Sequence, residues 1–191
     1  MDDDHALGAW AAGDVEAGRV LYERYGDRVA RFFTRQLPPD EATDLVQQTF
    51  FKALEAVRQG HRVTHVAGWL FGIARNALYD ALRAKARDRT FEPARTSLAE
   101  VRTGPVTALT RHESQRHLLA ALERLPADDQ IALELFYWQD LSMADVAVAM
   151  GISRSAAINR VYRARKALRQ RLSSKTLRSN AVRSVPEDEP C

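Results

Sequence analysis

Arg154, Ser155, Asn159, Arg160 and Arg163 crowd into ten consecutive positions of a 191-residue chain. Side chains of these types do one kind of chemistry well. An arginine fork matches the O6 and N7 acceptors of guanine, and an asparagine amide matches N6 and N7 of adenine. Further cations hold backbone phosphates. The surroundings suit that use: from Val146 to Pro186, 41 residues contain no Asp or Glu but ten Lys or Arg. A stretch this one-sided points to a polyanion rather than to an ordinary solvated helix face. The formal net charge is only +3, because the first sixty residues lean acidic. Asp2, Asp3 and Asp4 open the chain, and Asp40, Glu41 and Asp44 follow. An acidic half suits a second, basic partner.

Metal and covalent chemistry find no support in the sequence. His5, His61, His65, His112 and His117 lack metal-ligand spacing, Cys191 is the lone cysteine, and no P-loop or nucleophile motif is present. No cofactor and no enzymatic activity are expected. The opening "MDDDHALGAW" lacks the basic start and apolar stretch of a signal peptide, and no apolar run approaches the length of a membrane span. A cytoplasmic protein without membrane insertion is expected.

The polar cluster needs an element to hold it. Ser142 and Asp145 have the spacing of a capping box, which starts a short helix, Ser142–Met150. Gly151 can take the positive φ that ends it, and Ile152 can plug the core at the turn. Ser153 then caps a longer helix through about Leu172, with Ala157, Val161, Ala164 and Leu168 on its inner face. Short helix, glycine turn and longer helix form a helix-turn-helix, whose second helix presents its N-terminal residues to base edges in the major groove.

Upstream, apolar residues fall at helical spacing in three stripes: Leu21, Tyr25, Val29 and Phe32; Val46, Phe50, Leu54 and Val57; Val66, Leu70, Ile73 and Ala77. Alternating β-branched runs are missing, so no strand is expected. "LPPDEATD" separates the first two helices, with Asp40 as the expected cap of the second. "RQGHRVTH", Arg58–His65, is a short loop broken by Gly60. Thr90–Pro105, with two prolines and a glycine, reads as a linker. A helix over Arg111–Leu125 follows, and another restarts with Pro126 at its first position. The fold class is therefore all-α, with two helical domains joined by a flexible linker. The expected bounds are 10–90, a linker over 91–109, a second domain over 110–172, and a mobile tail over 173–191.

Three stretches, in order, resemble bacterial RNA polymerase sigma factors. "EATDLVQQTFFKAL" is similar to region 2.2, "GWLFGIARNALYDALRAKAR" to regions 2.3 and 2.4, and "LERLPADDQIALELFYWQDLSMADVAVAMGISRSAAINRVYRARKALRQRL" to region 4. The pattern resembles the extracytoplasmic-function group, which keeps only these two domains, and it covers about residues 10–172. The resemblance implies that core RNA polymerase is the basic partner. Asp44, Leu45, Gln47, Gln48 and Phe51 would meet the clamp helices of its β′ subunit, while at least one of Leu45, Phe50 and Phe51 is core. Region 4 would touch the β-flap, for which Leu133, Phe136, Tyr137 and Trp138 are aromatic enough, although burial is their commoner fate. Promoter DNA is the polyanion. Arg62, Arg75, Asn76, Arg83, Lys85 and Arg87 would serve the melted minus-10 element, with Trp69 and Phe71 read as core. Arg154, Ser155, Asn159, Arg160, Arg163, Arg165 and Lys166 would read the minus-35 duplex.

The sequence departs from the family pattern in two places. "EATDLVQQTF" stands where "DAEDLVQETF" is usual, which leaves the β′-facing helix less acidic. Thr43 is therefore a candidate phosphorylation site for a regulatory kinase, set against the plainer reading that Glu41 and Asp44 suffice. "SAAINRVYRAR" stands where many relatives have "GTVKSRLHRAR", so base-reading residues do not transfer. An anti-sigma factor is a further partner that the resemblance suggests. Two other readings stay open: a helix-turn-helix regulator that does not direct initiation, and a chain that binds polymerase without melting promoters.

Overall fold

A computed structural model describes residues 1–86, 91–101 and 113–183. Among these residues there are nine helices and no strand, only one isolated bridge between Ser97 and Pro126. The elements are α1 (Asp3–Ala11), α2 (Val15–Thr34), α3 (Pro39–Arg58), α4 (Val66–Lys85), α5 (Leu98–Val101), α6 (Glu113–Leu122), α7 (Ala127–Tyr137), α8 (Met143–Met150) and α9 (Arg154–Arg183). The all-α expectation holds throughout the described chain.

α1 to α4 form the first bundle. Asp2 caps α1 by accepting from the His5 amide at 2.8 Å, and Asp14 caps α2 by accepting from the Glu16 and Ala17 amides. α3 starts differently from the expectation. Pro38 is its N-cap and makes no side-chain cap bond, while Asp40 lies inside the first turn. Proline at the first helical position needs no amide hydrogen, so an Asp cap is unnecessary there. Fully buried Phe32 meets Phe33 and Phe71 edge-on, with ring centroids 5.4 and 5.8 Å apart. Truncating such a phenylalanine typically costs about 3–5 kcal/mol.

α6 to α9 form the second bundle. Ala157, Val161 and Ala164 on α9 bury their side chains against it, as their spacing requires. Leu168 is half-buried on the same face. Gly151 has φ 65° and ends α8 in the left-handed conformation, donating to the Val148 carbonyl. Pro126 stands just before α7 rather than inside it.

Three features go beyond the sequence reading. α1 adds a helix at the start, where Ala6 and Leu7 join the core. Part of the stretch after Thr90 packs: Phe91 lies against Tyr79 with centroids 5.4 Å apart, and Leu98 is fully buried. α9 continues to Arg183, eleven residues past the expected end.

Candidate nucleic-acid interface

α9 sorts its side chains by angle. Its inner stripe is alanine and valine, so the exposed arc carries Arg154, Ser155, Asn159, Arg163, Arg165 and Lys166. Ser153 starts it by accepting from the Ala156 amide at 3.2 Å. No acid lies on the helix, and through Leu172 its exposed arc is cationic. Arg160 does not join it. Its guanidinium turns back to α7, 3.0 Å from Asp128 and 3.6 Å from Asp129. The sequence placed Arg160 among the DNA contacts; the structure instead makes it an internal tie. Burial pushes the Asp129 carboxyl up from its ordinary value, and Arg160 and Arg163 oppose that shift. The arc also carries two residues that the sequence reading passed over, Ile158 and Tyr162.

α3 offers a second face. Asp44, Gln47, Gln48 and Phe51 are exposed, with Phe51 62% accessible amid polar neighbours. Leu45 corrects the sequence reading: it is 8% exposed and faces the bundle core, as does Phe50. The helical period decides this, because Ala42, Leu45, Val46, Thr49, Phe50 and Ala53 share the inward side. Thr43 is exposed, and its hydroxyl donates to the Pro39 carbonyl at 2.9 Å.

A third face lies between α3 and α4. Lys52, Ala56, His61, Trp69, Ile73 and Asn76 line an open pocket of about 280 Å³. His61, from the loop around Gly60, stacks on half-buried Trp69 with an interplanar angle of 18°. Phe71 points the other way, into the core. A flat aromatic wall with a lysine and an amide at the rim suits a heteroaromatic ring beside a phosphate. Arg62, the residue after His61 in the chain, is exposed. Of the other residues assigned to the minus-10 element, Arg83 bridges Asp80 at 2.8 Å within the exposed part of α4. Lys85 donates to Glu41 at 2.7 Å and is half-buried, and Arg87 lies outside the described residues.

Arg75 has a different setting. It lies on the side of α4 covered by α8, over the Tyr79 ring and 3.9 Å from the Met150 sulfur. Its Nε is buried with no hydrogen-bond partner among the described residues. The covering is close because Gly68 and Gly72, one turn apart, leave α4 flat. A Cβ on Gly68 would stand 2.5 Å from the Asp145 carbonyl oxygen. Ser142 caps α8 by accepting from the Asp145 amide at 3.1 Å, and the Asp145 carboxylate takes the Ser142 hydroxyl at 2.6 Å. The other carboxylate oxygen lies 3.0 Å from His65 Nδ1 at the start of α4. Further ties flank the junction. Tyr79 donates to Asp128 at 2.8 Å, Arg28 donates to the Gln139 carbonyl, and Arg35 bridges Glu134 at 3.2 Å while lying over Trp138. Leu133 is buried, whereas Tyr137 and Trp138 keep exposed edges.

Two bundles with these faces, in this order, match one family twice. Residues 21–88 match Sigma-70 region 2, and residues 115–168 match Sigma-70 region 4. The chain belongs to the sigma-70 family. Over 170 residues it is 28% identical to the ECF RNA polymerase sigma-E factor of Haemophilus influenzae, covering 84% of this chain and 89% of that one. Two solved structures have the same fold. CnrH, in complex with the cytosolic domain of CnrY, gives a TM-score of 0.63 at 26% identity, covering 91% of this chain and 99% of that one. The sigma factor RpoE of Bartonella quintana, in complex with the anti-sigma factor NepR, gives 0.58 at 25% identity, covering 81% and 96%. The chain is thus an extracytoplasmic-function sigma factor that directs transcription initiation at promoters, and not a helix-turn-helix regulator of another kind. Among the described residues no helix is long and apolar enough to cross a membrane.

Proposed function

We propose a division of labour among the three faces of this sigma factor. The α3 face docks on the β′ clamp helices of core RNA polymerase. Phe51 is its anchor, and Asp44 supplies the charge that complements a basic coiled coil. The observation that carries this assignment is the exposure of Phe51: the bundle is complete without it, since Leu45 and Phe50 fill the core. The pocket of His61, Trp69 and Asn76 receives an unstacked base of the minus-10 element, with Arg62 and Lys52 on the phosphates. The exposed arc of α9 enters the major groove of the minus-35 element, and the Tyr137–Trp138 edge faces the β-flap. The protein is cytoplasmic and non-enzymatic; polymerase does the chemistry.

Engaging both elements requires the bundles to part. Minus-10 and minus-35 elements lie about 25 base pairs apart, or about 85 Å at 3.4 Å per pair. A compact chain of this length has a radius of gyration of only about 16 Å. Once Phe91 and Leu98 leave their packing and α5 unwinds, the 27 residues between Lys85 and Glu113 can span about 90 Å. The α4–α8 junction is therefore a resting contact. An anti-sigma factor is a further partner, a reading supported by the complex of RpoE with the anti-sigma factor NepR, and it would act by holding that compact form.

The docking assignment is tested with Phe51→Ala. Its affinity for core polymerase should fall at least tenfold while thermal stability stays within about 0.5 kcal/mol of the parent, as for other surface changes. Unchanged affinity contradicts the assignment.

A further inference from the structure

Ile158 is out of place on α9. It is 46% exposed, and Tyr162, one turn on, is 56% exposed. Neither belongs to the inner stripe of Ala157, Val161 and Ala164, which is buried. Both stand on the arc that carries Arg154, Asn159 and Arg163. An isoleucine there has no core to fill, and lone exposed apolar residues need no explanation in general. The location makes this one different. It sits in the second turn of the helix whose first two turns meet base edges.

We propose that Ile158 is a specificity-determining residue that reads a thymine methyl group in the minus-35 element, with Tyr162 flanking the same contact. This rests on the placement of α9 in the major groove given above. The chemistry leaves few choices. The major-groove edges of guanine, adenine and cytosine carry no methyl group, and their donors and acceptors would be stripped of water by a hydrocarbon without the bond being replaced. Thymine alone adds a methyl group, and apolar contact there is favourable. A protein partner for this patch is disfavoured by its frame, because the described arc is cationic and α9 carries no acid. Asn159, its neighbour, suits adenine, so the two positions together favour A·T pairs over G·C pairs at this point of the site.

The test uses holoenzyme assembled from the full chain and core polymerase, on a promoter library with a randomised minus-35 segment. Run-off transcripts of the parent should be enriched in thymine, on either strand, at one position. Ile158→Ala should lose the preference at that position and keep the others. Ile158 is exposed, so this variant folds. On a synthetic promoter, deoxyuridine in place of that thymidine should lower parental transcription about fourfold, the worth of one buried methyl group. It should leave Ile158→Ala unchanged. The inference is overturned if no selected thymine responds to deoxyuridine, or if Ile158→Ala keeps the full preference. Transcripts with a normal minus-35 preference that ignores Ile158 sink this inference alone. Absence of transcripts from every library member overturns the promoter reading together with it.

Discussion

Replacing Gly68 with alanine should separate the two bundles, and the same change at Gly72 should not. A Cβ at Gly68 would lie 2.5 Å from the Asp145 carbonyl oxygen and 2.8 Å from its Cα. Those are backbone atoms of a capped helix and cannot rotate away. α8 would have to retreat by about 0.9 Å to restore a contact of 3.4 Å. That retreat pulls Asp145 from His65 and Met150 from Arg75 together. Overpacking of this kind costs about 1–3 kcal/mol, which multiplies the open-to-closed ratio about 5- to 150-fold. At Gly72 the nearest atom, Ala149 Cα, would be 3.5 Å away, an ordinary contact. Both substitutions also improve helix propensity in α4, by about 0.5–1 kcal/mol, so weakening of α4 itself cannot explain an opening. Energy transfer between dyes at Glu55→Cys and Gln170→Cys, with Cys191→Ser to remove the native thiol, reads the separation. Gly68→Ala should lower the transfer efficiency, and Gly72→Ala should match the parent. If Gly68→Ala stays as compact as the parent, or if both variants open alike, the junction does not hold the bundles as described.

Two further outcomes follow from the charged groups. Arg163→Ala should reduce the salt slope of duplex binding by about one unit, because a phosphate contact is lost. Arg160→Ala should leave the slope unchanged and lower the melting temperature, because its partners are Asp128 and Asp129; equal slope changes in the two would contradict the assignment. Glu134 gives a pH effect. Burial raises its pKa in the folded state, with Arg35 opposing. A raised carboxyl pKa favours the folded form below the unfolded value, and that contribution is lost as pH rises through the folded value. Glu134→Gln, which keeps a neutral side chain at all pH, should therefore be more stable relative to the parent at pH 7 than at pH 4. Denaturant unfolding at the two values checks the sign, and a relative stability that instead falls with pH contradicts it.

The helix-turn-helix was legible because its signals are local. Ser142, Gly151 and Ser153 each act on backbone within a few residues, and the alanine stripe of α9 follows the helical period. The α3 face was legible only in part. Leu45, Phe50 and Phe51 are all apolar, and only the angular position set by the packed bundle separates the two buried ones from the exposed one. Arg75 and Arg160 escaped because a cation near a nucleic-acid face looks the same in sequence whether it meets solvent, is covered by another helix as Arg75 is, or pairs with that helix's carboxylates as Arg160 does. The α4–α8 junction had one cue that went unread, the glycine pair four apart in "GWLFG". Small residues at that spacing allow close helix approach, but which helix approaches is decided by contacts distant in sequence. α1 escaped for a different reason: three acids and two glycines within its surroundings mask a short apolar side made of Ala6, Leu7 and Trp10. Ile158 carries no signal in sequence that separates an exposed apolar residue on the outer arc of α9 from one on its buried stripe.

Core polymerase takes its promoter choice from this chain. Purified full-length protein is mixed with sigma-free core polymerase and a promoter library, and the run-off transcripts are sequenced. Transcripts should start at fixed distances from a shared pair of upstream elements and be present only when the protein is added. DNA binding without any such transcripts would contradict it.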